Sequence, residues 1–269
     1  MENLIYSFIF VLGLIVGSFL NCVIYRLEEE KSFLKGRSFC PACKKELAWF
    51  DLIPVLSFIF LRGRCRYCKT RISWQYPLVE LANGVIFLSL YVWLLPLSGS
   101  SLTNFFNLFY YWVVSAFLVV IFVYDLKHYV VPNITIYLAI IISLLWRLVG
   151  WLAFDPSAWL EFLKVIGIAL VPAILFLLIV LLSRGRWMGE GDISIVFLMG
   201  LILGWPGILV ALAIAFYSGA IIGLGLMAIG RKKLKSAVPF APFLIAGIFL
   251  SLFWQSQLID WYQALFLLK

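Results

Sequence analysis

The sequence predicts an all-α polytopic membrane protein of about eight transmembrane helices, with a small zinc-ribbon-like cytoplasmic insert between the first and second. Three observations carry that prediction. Of the 269 residues, 64% are hydrophobic and 13% charged, where a soluble domain carries about a quarter charged residues. The mean hydropathy is +1.07, and several runs reach the length of about 20 apolar residues that a helix needs to cross a bilayer. Four of the five cysteines fall in two close pairs inside the single sizeable polar stretch.

Taken in order, a first crossing is expected over 4–25. It runs straight into NCVIYRL with no small-residue cleavage site, so it is expected to remain as an anchor. The polar segment 26–75 follows, then a second crossing over 77–97 that ends in the uncharged LLPLSGSSL. A third spans 104–124 and stops at Asp125; VVPN (130–133) breaks the chain before a fourth over 133–150. The fifth, 159–183, contains Pro172, where a bend is expected. After RGRWMGEGD come a short helix over 193–204, a GWPG turn and a helix over 207–229. The run RKKLK (231–235) leads into a last hydrophobic region, 238–268. Treating 193–229 as a re-entrant pair plus one span would reduce eight crossings to seven. The chain thus divides into a first helix (1–25), a tetracysteine segment (26–75) and a membrane-embedded domain (76–269).

Charge orients these elements. Eleven of the 21 Lys and Arg lie between Arg26 and Arg71. If that segment is cytoplasmic, alternation also makes Lys127, Arg184, Arg186 and the four basic residues of RKKLK cytoplasmic, leaving only Arg147, Lys164 and Lys269 elsewhere. The positive-inside rule therefore accounts for the basic balance without a nucleic-acid partner. It also puts Asp125 and Asp192 on one side of the membrane, the cytoplasmic one.

The paired cysteines are Cys40-Pro-Ala-Cys43 and Cys65-Arg-Tyr-Cys68. Each C-x-x-C turn offers two thiolates, and two such turns suit tetrahedral Zn2+. A segment this short buries little core, so a metal would hold it together. Four thiolates leave no open position, which makes the expected role structural. Reduced or redox-active thiols are the alternative. Cys22 stands alone and reads as a small buried hydrophobe. With His128 the only histidine, in an expected solvated loop, Ser–His and Cys–His triads are excluded.

Acids near membrane helices are costly and invite a functional reading. Glu80, Glu161, Glu190 and Asp260 have ordinary explanations as first-turn, loop or interfacial charges. Asp125 ends a helix, where the dipole disfavours it, and so needs a partner or a proton. Asp192, after Gly191 at a helix start, suits a cap. Two aspartates at similar depth can instead share one proton and divide the work of acid and base. Gly189 and Gly191 would then let a substrate backbone approach. Spacing alone leaves cap and dyad both open.

These residues resemble the type IV prepilin peptidase family, whose members are also called leader peptidases with N-methyltransferase activity. GSFLNCVIYRL (17–27) is similar to the family's opening signature, and residues 40–81 to its zinc-binding segment. DLKHYVVPN (125–133) and GEGD (189–192) resemble its two aspartate motifs, the second being the G-x-G-D of intramembrane aspartyl proteases; VPFAPFLIAG (238–247) resembles its final helix entry. The resemblance implies cleavage of short basic leaders from type IV prepilins or pseudopilins at the cytoplasmic face of the bacterial inner membrane. It also implies methylation of the new N-terminus with S-adenosylmethionine. Asp125 and Asp192 would be catalytic, and Cys40, Cys43, Cys65 and Cys68 would hold zinc. Asn133, Ser194 and Ala241 depart from the family's usual acid, lysine and glycine. No G-x-G-x-x-G follows a strand, so a methyl-donor site would have to be built from the insert and helix ends.

Two other classes fit parts of the pattern. An ion- or proton-coupled carrier would use the same aspartates. A zinc-stapled scaffold would use Gly200-x-x-x-Gly204 and Gly219-x-x-x-Gly223 only to pack helices in lipid.

Overall fold

The computed structural model describes residues 2–29, 36–94, 101–154, 159–229 and 238–267. Lys31, Lys35, RKKLK, Lys269 and most of the uncharged turn after the second crossing lie outside them. The elements are α1 (Glu2–Glu28), α2 (Leu56–Phe60), α3 (Gln75–Leu94), α4 (Ser101–His128), α5 (Asn133–Phe154), α6 (Trp159–Ser183), α7 (Glu190–Leu203), α8 (Gly207–Ala228) and α9 (Ala241–Leu267). Among the described residues, seven of these are long and apolar enough to cross a membrane: all but α2 and α7. The protein is an all-α, multi-pass membrane protein with a four-cysteine insert, as expected. The chain forms two compact units, divided after Val120 within α4.

In the first unit α1 and α3 touch backbone to backbone. A methyl group on Gly13 would lie 2.7 Å from Gly84 Cα, and one on Gly17 would lie 2.7 Å from Glu80 Cα. Small residues permit such approach where lipid supplies no hydrophobic drive between helices. Amides then lock the register. Asn83 Nδ2 donates to Gly13 O (2.7 Å), and Asn21 Nδ2 to Tyr76 O (3.0 Å). The early part of α4 joins through Trp112, which stacks on Phe87 (5.0 Å, 4°) and donates to its carbonyl (3.1 Å).

The second unit is arranged around α7. From Ile195 onward this helix is apolar all round, and Ile195, Val196, Leu198, Met199 and Leu201 are wholly buried, as expected for a stretch with no polar face. It packs against α5, α6, α8 and α9. Its 14 residues rise about 21 Å, short of the about 30 Å of bilayer hydrocarbon. Gly200 presses onto Ala169 of α6. At the far end Arg147 of α5 donates to Leu201 O through Nη2 (2.6 Å) and Nε (2.9 Å), and to Ile202 O through Nη2 (3.1 Å). A cation on the terminal carbonyls satisfies groups the helix itself leaves open.

Two helix ends differ from the sequence expectation. The helix containing Asp125 continues one turn further, to His128. Lys127 and His128 in that last turn complement the dipole, and the chain leaves through Tyr129, at φ 59°, whose N–H donates to Asp125 O (2.9 Å). Val131 before Pro132 cannot readily continue a helix. His128 therefore sits exposed on the end of α4 rather than in a loop. At the other end, α7 begins at Glu190 rather than 193.

Candidate active site and metal centre

The insert is built twice over on one local plan. Cys40 N donates to Lys45 O (2.9 Å) while Lys44 N donates to Cys40 O (2.8 Å). In the second copy Cys65 N donates to Thr70 O (2.8 Å) and Lys69 N to Cys65 O (3.0 Å). Lys44 and Lys69, the residues after each pair, both turn the chain in the left-handed region at φ 58° and 62°. Each turn is closed by an isolated antiparallel bridge, Phe39 to Glu46 and Arg64 to Arg71.

These turns bring all four Sγ atoms within 4.8 Å of one another. Cys40 Sγ and Cys68 Sγ are 3.8 Å apart. A tetrahedron with Zn–S bonds of about 2.3 Å has S–S edges of about 3.8 Å. The donor set and its spacing therefore fit zinc. The Thr70 hydroxyl, 3.1 Å from Cys68 Sγ, draws that thiol down to about 6, toward the thiolate a metal needs. Asp51 ties the knuckles to the following 3-10 turn (Trp49–Leu52), accepting from Arg66 Nε (2.7 Å), Tyr67 Oη (3.3 Å) and Ala48 N (3.3 Å).

The second unit holds Asp125 and Asp192, both buried. Asp125 projects from the last turn of α4, and its Oδ2 has no hydrogen-bond partner among the described residues. Asp192 is the third residue of α7. Its Oδ2 accepts from the N–H of Gly189, the extended residue that opens the helix (3.2 Å). Asp192 thus does cap α7, by reaching back from inside the first turn. Both carboxyls thus belong to the second unit, one at the end of α4 and the other at the start of α7.

The two glycines play different parts. A methyl on Gly191 would fall 2.6 Å from Val131 Cβ, so Val131 occupies the space that glycine vacates. A methyl on Gly189 would meet only Asp192 Oδ2, at 3.7 Å. Space is thus left beside Asp192 at Gly189 and filled at Gly191. Sequence reading missed Arg147 as the clamp on α7. The available signal was its isolation, a lone arginine within an apolar span.

Residues 11–94 match the Bacterial Peptidase A24 N-terminal domain, and residues 112–224 match the Type IV leader peptidase family. The first stretch contains the four cysteines and the second both aspartates. The chain is 31% identical to a prepilin leader peptidase/N-methyltransferase of Legionella pneumophila, over 96% of this chain and 94% of that one. It is 30% identical to one of Bacillus subtilis, over 95% and 97%, and 35% identical to one of Myxococcus xanthus, over 83% and 64%. No solved structure matches the chain.

Proposed function

Because the chain belongs to the type IV leader peptidase family, we propose that it cuts the short basic leader from type IV prepilins or pseudopilins and methylates the amine so exposed. Cleavage takes place at the cytoplasmic face of the bacterial inner membrane, with the precursor's apolar stem left in the lipid. The methyl donor is S-adenosylmethionine.

The observation that supports the proteolytic reading is the buried Asp125 Oδ2, without a hydrogen-bond partner among the described residues, in the same unit as the buried Asp192. One proton held by the pair relieves both the repulsion and the missing hydrogen bond. The ionised carboxylate then takes a proton from water, whose oxygen attacks the scissile carbonyl carbon. The protonated partner meanwhile donates to the carbonyl oxygen. As the resulting diol collapses, one of its hydroxyls returns its proton to the ionised carboxylate, the C–N bond breaks, and the departing amine takes up the proton held by the other aspartate. Gly189 leaves room for an extended backbone beside Asp192, while Gly191 seats α7 against Val131.

Cys40, Cys43, Cys65 and Cys68 hold zinc, which folds the insert and has no open position for chemistry. A carrier reading is less well supported, because both acids stand in terminal turns, whereas transported ions bind near mid-membrane. The test is leader removal from a co-expressed prepilin. Asp125→Asn and Asp192→Asn should each abolish it, and a carrier or scaffold would leave it unchanged.

A further inference from the structure

Between its two cysteine turns the insert carries apolar side chains outward. Residues 49–60 read WFDLIPVLSFIF, and Trp49, Leu56, Ile59 and Phe60 are 76%, 51%, 60% and 81% exposed. Within α2 the exposed Leu56, Ile59 and Phe60 share one face by their i, i+3, i+4 spacing. Exposed apolar groups clustered in this way mark an interaction surface, because water disfavours them.

Two contacts set the height of α2 against the membrane. At its start Val55 N donates to Glu80 Oε2 (2.7 Å), and the Phe58 ring meets that of Trp74, the residue before α3 (centroids 4.9 Å apart). The 20 residues of α3 rise about 30 Å, the whole hydrocarbon thickness. Glu80 is its sixth residue, so Val55 stands about 8 Å below the top of the span. The helix α2 thus lies beside the first turns of α3 rather than above them, within the depth of about 5–10 Å that interfacial helices occupy. Leu78 and Leu81 of α3, within a turn of Glu80, are exposed as well, so lipid contact already reaches that level of the span.

Charge follows directly on the apolar face. Arg62, Arg64, Lys69 and Arg71 are exposed, and among the described residues none of them has a carboxylate within ion-pair distance. Across residues 36–74 eight Lys and Arg stand against two acids, Glu46 and Asp51, and those acids are taken by Arg37 and Arg66. Such an excess is drawn to anionic headgroups at a membrane surface. It repels a basic peptide, which disfavours a prepilin leader as the occupant.

We infer that α2 is an interfacial anchor: Leu56, Ile59 and Phe60 enter the acyl boundary of the chain's own membrane, and Arg62 and Arg64 bind anionic lipid headgroups. The four-cysteine insert is then fastened to the membrane surface by α2 as well as by α1 and α3, instead of hanging from those two spans alone. Arginine suits the role, since its apolar stem lies along the boundary while the guanidinium stays among the headgroups.

Photo-crosslinking of the full, zinc-loaded chain tests this. Benzoylphenylalanine is placed at Ile59 or Phe60, and at Ala42, exposed on the first cysteine turn, for comparison. Each protein is reconstituted in vesicles of phosphatidylcholine, alone or mixed with phosphatidylglycerol, with a prepilin present or absent. All three positions are exposed, so zinc content should match that of wild type. The probes at 59 and 60 should form lipid adducts, and the probe at 42 should not. Adducts at 60 should increase with phosphatidylglycerol, and Arg62→Gln combined with Arg64→Gln should remove that increase. Lipid adducts equally abundant at 42 would show that α2 has no special place in the membrane. Adducts to the prepilin instead of lipid would make the face a substrate surface, and adducts to the chain itself or to a second copy would make it a protein interface. Absence of any adduct at 59 and 60 would leave the face in water. Each of these outcomes overturns the inference, and indifference to phosphatidylglycerol overturns the headgroup role of Arg62 and Arg64.

Discussion

Gly191 and Val131 meet so closely that no side chain fits between them: a methyl on Gly191 would stand 2.6 Å from both Val131 Cβ and Cγ2. This contact seats the first turn of α7 against the chain just before α5, and Asp192 is the next residue. Gly191→Ala should therefore push α7 away, at an overpacking cost of about 1–3 kcal/mol. Gly189→Ala, whose methyl has ordinary room, should be close to wild type in stability. Thermal unfolding in detergent compares the two, and equal Tm values for both variants would contradict the packing.

The other end of α7 depends on Arg147. Replacing it with Met keeps much of the stem but leaves the Leu201 and Ile202 carbonyls without their charged donor. Hydrogen bonds to charged groups contribute about 1.5–3 kcal/mol each, so Arg147→Met should lower Tm clearly and Arg147→Lys by less. A Met variant as stable as wild type would mean that water or lipid headgroups serve those carbonyls equally well.

Zinc should bind one ion per chain through the four thiolates. Cys40→Ser or Cys65→Ser, the two buried ligands, should release it and open the segment around Arg62–Arg71 to trypsin. Metal content and the tryptic pattern check this together. A protected insert without metal would show that hydrogen bonds alone, Asp51 to Arg66 and Tyr67 among them, hold it.

Two interacting carboxyls that share one proton act in only one protonation state. Leader cleavage should therefore show a bell-shaped dependence of kcat/KM on pH, with both limbs belonging to the pair. Double deprotonation removes the acid on the alkaline side, and double protonation removes the base on the acid side. A profile with a single limb would contradict the shared proton.

Much of this was legible in the sequence because hydropathy and cysteine spacing are local signals. The long apolar runs became α1, α3 to α6, α8 and α9, and the two C-x-x-C turns converged as metal-ligand spacing implies. The ends of α4 and α7 were less legible. They are set by Lys127 and His128 on a helix dipole and by a carboxylate reaching back to the Gly189 amide. Composition does not weigh these effects. The central place of α7 was hidden for another reason: a helix apolar on every side has no periodic face to show which neighbours it takes. Arg147 read as a stray charge because its partners are backbone carbonyls more than 50 residues away.

The most direct test of the account is leader removal from a co-expressed prepilin, in membranes, by wild type, Asp125→Asn and Asp192→Asn at matched abundance and zinc content. General acid–base groups contribute about a hundredfold or more to rate, so each variant should lose at least that factor while keeping its metal. If either variant cuts the leader at a rate near wild type, Asp125 and Asp192 are not a catalytic pair, and the carboxylate in GEGD is only the cap that holds the start of α7.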